Sequence, residues 1–241
     1  HASYRRQRQM CIRDRIHPRW IAYESKSSES QVLAKHDSES NTWVSIDPCP
    51  FYAESGGQVA DIGQLALENS DQAFNVIDVR KAYDDGVVLL LEGVASELKI
   101  GDRVRAQVKD DRRSLVRANH TATHLLHAAL REILGTHVQQ SGSFLDENRL
   151  RFDFSHGKSI SDDELCSIEK WVNQRIREKH SLKISQMPYD SAIEKGAMAL
   201  FGEKYTANVR VVDIPSVSME LCGGLHAVSY THLTLPTIGC V

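Results

Sequence analysis

The chain has 241 residues, 41% of them hydrophobic and 25% charged, enough to bury a sizeable core in one large or two small domains. A net charge of −3 excludes a global attraction to nucleic acid but leaves room for a local basic face, and no apolar run is long enough to span a membrane. Five cysteines without a regular framework argue against a disulfide-stapled secreted domain and for a reducing cytoplasm.

The first run, Arg5-Arg-Gln-Arg-Gln-Met-Cys-Ile-Arg-Asp14, has the composition of a basic nucleic-acid arm. The genetic code gives a different reading. One set of codons for this run has a reverse complement that translates, codon for codon, as Val228-Ser-Tyr-Thr-His-Leu-Thr-Leu-Pro-Thr237. Such an inverted pair is expected of a library adaptor read inward from both ends. Residues 1–15 and 228–241, with Cys11, His232 and Cys240, are therefore set aside as non-native, and the chain is read as a fragment of a longer protein.

Residues 16–108 read as a small β-barrel-like domain. Strand patterns occur at Ser30–Ala34, Trp43–Ile46, Gly63–Leu67, 73–80, 86–93 and 103–108, bounded by Asp-Asp-Gly and Ile-Gly-Asp turns. Between the second and third lies a proline-bearing loop ending in Gly56-Gly57-Gln58. The glycine pair suits a barrel-corner turn and a substrate-facing loop equally well.

At Asp110-Asp111 the period changes. Leu115, Ala118, Ala122, Leu125, Leu126, Ala129, Leu130 and Ile133 recur at helical spacing until Gly135, a C-terminal cap. Strands are expected over His137–Phe144 and Leu150–Phe154. A second amphipathic helix follows over Ser161–His180, with Leu165, Ile168, Trp171, Val172 and Ile176 inward and Ser161/Glu164 as a capping box. A strand over Leu182–Gln186, a short helix over Ser191–Met198 and a strand over Asn208–Val212 complete an α+β domain, residues 109–227.

Two short stretches carry chemistry. His120 and His124 stand one helical turn apart on one face, so their rings can converge on one ion. Cys222 and His226, with the same spacing, flank Gly223-Gly224, which lets a loop wrap an ion. Imidazole and thiolate are zinc donors, and two such pairs predict a four-ligand Zn2+ site at His120, His124, Cys222 and His226. His127 is a rival, since it shares the face with His124; the i,i+4 pair is favoured, leaving His127, His137 and His156 for packing or hydrogen bonding. Cys166 is assigned to the core of the second helix, and Cys49 has no evident partner. His120-x-x-x-His124 lacks the glutamate of zinc peptidases, and no Gly-rich phosphate loop predicts a nucleotide site in this stretch.

Six motifs then occur in order: Phe51-Tyr-Ala-Glu-Ser-Gly-Gly-Gln58, Asn119-His-Thr-Ala-Thr-His-Leu-Leu-His127, Gly135-Thr-His-Val-Gln-Gln140, Arg151-Phe-Asp-Phe-Ser-His156, Gly196-Ala-Met-Ala-Leu-Phe-Gly-Glu-Lys-Tyr205 and Glu220-Leu-Cys-Gly-Gly-Leu-His226. This closely resembles the editing region of bacterial alanyl-tRNA synthetases over nearly all of 16–227. Free-standing alanyl-tRNA editing proteins are the nearest alternative. The resemblance implies a zinc-containing editing domain of the kind shared with threonyl-tRNA synthetases. It also implies hydrolysis of the ester of Ser-tRNA(Ala) and Gly-tRNA(Ala), with tRNA(Ala) as partner and ATP binding confined to the parent synthetase. Thr123, Gln140 and Ser143 match family positions lining the substrate pocket. On the residues alone, Thr123 also suits a bond to the preceding helical turn, and Gln140 suits the capping of a strand. Arg151 and the basic stretch Lys109–Arg117 are candidates for tRNA phosphate contact, or solvated surface. Leu225 stands where the family commonly has threonine, which removes a hydroxyl beside the predicted zinc. A non-catalytic, zinc-stabilised tRNA-binding module is the competing class.

Overall fold

A computed structural model describes residues 18–82, 86–199 and 205–227. The adaptor-like segments and the centre of the Gly196–Tyr205 motif lie outside the described residues. The described chain falls into two compact units. One contains residues up to Ser55 together with Val59–Arg113; the other contains Gly56–Gln58 together with Ser114 onward. Sequence reading had placed Gly56–Gln58 with the barrel. They cluster with the second unit because Gln58 pairs with Leu145 and the Gly57 carbonyl accepts the Leu145 N–H at 2.9 Å.

The first unit is a closed antiparallel barrel of six strands: β1 (Ser27–Asp37), β2 (Asn41–Asp47), β3 (Gly63–Leu67), β4 (Ala73–Lys81), β5 (Val87–Glu92) and β6 (Arg103–Val108), in the spatial order β1-β2-β5-β4-β3-β6. Closure leaves no exposed sheet edge. Alternation decides which side chains fill the barrel. On β6, Val104, Ala106 and Val108 point inward while Arg103, Arg105 and Gln107 face out. They meet Val32, Val44, Ile46, Leu65, Val76, Leu89 and Leu91 in one cluster. Cys49 also belongs to this core, and burial pushes its thiol up to about 12. Strand β1 is longer than the five-residue expectation, because polar Ser27, Ser28 and Glu29 pair with Gln107, Ala106 and Arg105 respectively.

Arg113 ties the barrel's loops together. Its guanidinium is almost wholly buried and donates to the Asp61 carboxylate and to the carbonyls of Ala22, Ser25 and Pro50. Asp61, 4% exposed, also accepts the Tyr52 N–H at 2.7 Å. A buried guanidinium is tolerated here because its charge and its donors are matched.

The long helix α1 (Asp110–Leu134) has Asp110 and Asp111 in its first turn and Arg131 in its last, both favourable to the helix dipole. Gly135 ends it at φ 119°, and Arg131 Nη1 holds the carbonyls of Thr136 and Val138, each at 2.8 Å. This turn occupies Thr136 and His137, so the following strand starts later than expected. A hairpin of β7 (Gln140–Leu145) and β8 (Leu150–Phe154) follows.

Helix α2 (Asp162–Arg177) starts at the predicted capping box: the Glu164 N–H bonds the Ser161 side chain, and the Glu164 carboxylate returns to the Ser161 N–H at 2.9 Å. Its Ile168 and Val172 join Ala118, Ala122, Leu125, Ala129, Leu130 and Ile214 in the second unit's main cluster. Leu165 and Leu115, placed by periodicity on the apolar stripes, are instead about half exposed. Each sits near the start of its helix. Cys166, expected in the core, is only half-buried.

The chain closes with β9 (Lys183–Pro188), α3 (Tyr189–Glu194), β10 (Asn208–Ile214) and β11 (Ser218–Leu221), the strands forming a sheet in the order β11-β10-β9. Helix α3 ends well before Met198, because Gly196 turns the chain at φ 88°. Strand β11 was not anticipated. Among the described residues no helix is long and apolar enough to cross a membrane.

Candidate metal centre

Three pieces of the second unit converge. Helix α1 presents His120 and His124 from one face, with ring centroids 5.6 Å apart and ring planes inclined by only 14°. The loop after β11 carries Cys222 and His226. The segment 56–58 supplies Gln58.

The loop is placed by the sheet beneath it. The Cys222 N–H bonds the Arg210 carbonyl at 3.0 Å, and Arg210 Nη1 donates to the carbonyls of Cys222 and Gly224, each at 2.8 Å. Gly224 is required because a Cβ there would run into the His120 ring.

The ligand atoms of His120, His124, Cys222 and His226 all lie within 4.8 Å of one another. Cys222 Sγ is 3.3 Å from Nε2 of His120 and 3.3 Å from Nε2 of His226. Donors about 2.0–2.3 Å from a central zinc at tetrahedral angles are separated by about 3.3–3.6 Å, so the set fits Zn2+ in both chemistry and spacing.

The outer hydrogen bonds decide which nitrogen faces the centre. His120 Nδ1 lies 2.8 Å from Gln58 Oε1, an atom that also accepts the Leu225 N–H at 2.9 Å and is therefore the amide oxygen. Thr121 spends its hydroxyl hydrogen on the Arg117 carbonyl, so its oxygen accepts from the Ala227 N–H at 3.1 Å and from His226 Nδ1 at 3.4 Å. His124 Nδ1 donates to Glu220 Oε2 at 2.7 Å. Each ring thus carries a proton on Nδ1, which leaves Nε2 as the nitrogen available to the ligand set.

The electrostatics follow from these contacts. Burial opposes ionisation of Cys222, but the adjacent His120 and His226 outweigh it and hold the thiol well below its ordinary value. Burial, then His120, push His226 down to about 3. For His124 burial acts downward, yet the Glu220 carboxylate prevails and raises it to about 10. Glu220 is held below the usual carboxylate range: burial works against its charge, and His124 overcomes that.

The other sequence candidates are distributed as follows. Thr123 is buried and donates to the Asn119 carbonyl at 2.9 Å. Asn119 in turn donates to the Asp146 carbonyl at 2.7 Å, tying α1 to the β7–β8 turn. Gln140 is half-buried at the start of β7, beside a bulge. Ser143 Oγ donates to the Gly56 carbonyl at 3.3 Å, and Gly57, at φ 82°, passes too close to Ser143 for any side chain. Gln58, offered by the sequence as part of a substrate-facing loop, is 1% exposed, and its amide oxygen is committed to His120 and Leu225. Leu225 is buried and joins the site through its backbone N–H. Arg151 is exposed and pairs with Asp153 at 3.1 Å. His127 is buried against Glu220 and the Phe152 ring, outside the ligand set. His137 and His156 bond each other at 2.9 Å.

Sequence reasoning missed Glu220, Thr121 and the anchoring role of Gln58. For Glu220 a signal existed: an acidic residue two positions before Cys222 and between apolar Met219 and Leu221.

Over 216 residues the chain is 46% identical to an alanine–tRNA ligase of Shewanella amazonensis, covering 86% of the chain and 24% of that protein. Over most of its length the chain is thus similar to one part of alanine–tRNA ligases. The ligase of Sulfurovum sp. is 44% identical over 215 residues, and that of Helicobacter pylori 42% over 217, with 86% of the chain covered in each case and 24% and 25% of the ligases. The chain thus spans about a quarter of the length of the ligases it matches. A family model described as tRNA synthetases class II (A) matches residues 20–112, which hold the barrel and not the zinc donors.

Proposed function

We propose that this chain carries the editing region of an alanyl-tRNA synthetase and hydrolyses the aminoacyl ester of Ser-tRNA(Ala) and Gly-tRNA(Ala) in the cytoplasm. The observation that supports this most is the buried His120/His124/Cys222/His226 set in a chain 42–46% identical to alanine–tRNA ligases. A pocket sized for alanine cannot exclude glycine by bulk and rejects an added hydroxyl poorly, so a second, hydrolytic sieve is required.

His120, His124, Cys222 and His226 would hold the zinc, which when bound supplies a positive charge that orients the ester or amino group of the substrate. The remaining work falls to the chain. The single Thr123 hydroxyl hydrogen is spent on Asn119, so its oxygen offers only lone pairs, suited to accept from a serine hydroxyl that alanine lacks. Gln140 and Ser143, on the hairpin that Asn119 ties to the helix, complete the polar lining. Arg151, exposed, meets tRNA phosphate.

The assay is deacylation of Ser-tRNA(Ala) by the zinc-replete chain and by Cys222→Ala. Hydrolysis lost in Cys222→Ala is expected; tRNA binding without zinc-dependent hydrolysis rejects the reading. That outcome would instead favour a non-catalytic, zinc-stabilised tRNA-binding module, for which the four protein donors speak, since a shell closed by protein is typical of structural zinc.

A further inference from the structure

Glu220 is 2% exposed, and its carboxylate is shared by three donors. His124 Nδ1 reaches Oε2 at 2.7 Å; His127 Nδ1 and Ser218 Oγ reach Oε1 at 3.2 and 2.7 Å. Ser218 and Glu220 lie two apart on β11 and point the same way, while His124 and His127 lie three apart on α1, so helix and strand meet through this one carboxylate. Among the described residues His127 Nε2 has no hydrogen-bond partner, which leaves Glu220 as the polar contact that accounts for this histidine's burial.

The three ligand histidines are anchored unequally. His120 rests on an amide and His226 on a hydroxyl, both neutral. His124 alone rests on a charge. A buried charge without its counterpart is costly.

We infer that Glu220 is a positioning residue for the metal: it holds His124 in the Nδ1–H tautomer and is itself fixed by His127 and Ser218. This rests on the zinc reading of the site and assigns His127 a place in it as a second-layer donor. Replacing an outer partner of a metal-bound histidine commonly weakens metal affinity about 10–100-fold.

The experiment measures Zn2+ affinity of the full chain by chelator competition, and Co2+ absorption bands as a report on coordination geometry, for the wild type, Glu220→Gln and Ser218→Ala. Glu220→Gln keeps the shape and removes the charge. Its Zn2+ affinity is expected to fall about 10–100-fold, with Co2+ bands shifted, while Ser218→Ala loses less in the same direction. Glu220→Gln folding and binding Zn2+ as tightly as the wild type overturns the inference. Should Glu220→Gln fail to fold, Ser218→Ala decides, and unchanged affinity there overturns it. A wild-type chain that binds no Zn2+ defeats the zinc reading itself, a result distinguishable from either.

Discussion

The amide oxygen of Gln58 lies 2.8 Å from Nδ1 of His120, joining a glycine-rich loop to the middle of a helix 62 positions further along the chain. The same oxygen receives the Leu225 N–H from the loop that carries Cys222 and His226. One side chain therefore braces both halves of the ligand set. Gln58→Leu removes the acceptor and leaves the Leu225 N–H and the His120 Nδ1–H buried without a partner. Zinc affinity is expected to fall by about tenfold, measured by chelator competition, with the four ligands unaltered.

Gly224 lies against the His120 ring, which a Cβ at this position would strike. Its backbone conformation is open to any residue; the ring is what excludes a side chain. Gly224→Ala must displace either the ring or the Cys222–His226 loop. The zinc content of the purified protein is expected to fall well below one per chain, by metal analysis, while the barrel keeps its strand signal by circular dichroism.

Arg113 and Asp61 form a buried pair in the first unit, 2% and 4% exposed. Arg113→Met leaves the Asp61 carboxylate without its counter-charge and three carbonyls without their donor. Removal of one partner of such a pair costs about 3–5 kcal/mol, so equilibrium denaturation should show a loss of that size. Paired replacement, Arg113→Met with Asp61→Asn, should recover part of it.

The capping box of α2 sets an acid limit on that helix. The backbone N–H and hydroxyl of Ser161, with Lys158, hold Glu164 at about 2, below its ordinary 4.5. A carboxylate whose pKa is lowered by folding contributes stability that is fully present above about 4.5 and is lost as pH falls toward about 2. Acid titration followed by far-ultraviolet circular dichroism should therefore show helix loss in that window. Ser161→Ala should lower the melting temperature at neutral pH and flatten the acid response.

What the sequence by itself determined was local. Alternation in Arg103–Val108, helical spacing from Ala118 to Ile133, the Ser161/Glu164 cap and the stop at Gly135 all depend on neighbours within a few residues, and each element formed where its pattern lay. The two equally spaced pairs, His120/His124 and Cys222/His226, also announced zinc donors, because helix geometry and a glycine loop restrict where such side chains can go. Tertiary structure alone decided which groups stand behind them. Gln58 left the barrel loop for the metal centre, Thr121 turned its oxygen to His226, and Glu220 came from an unforeseen strand to lie under His124 and His127. These contacts join residues 62 to 105 positions apart, where no sequence period reaches, and a buried polar atom finds its partner only once the packing around it has closed.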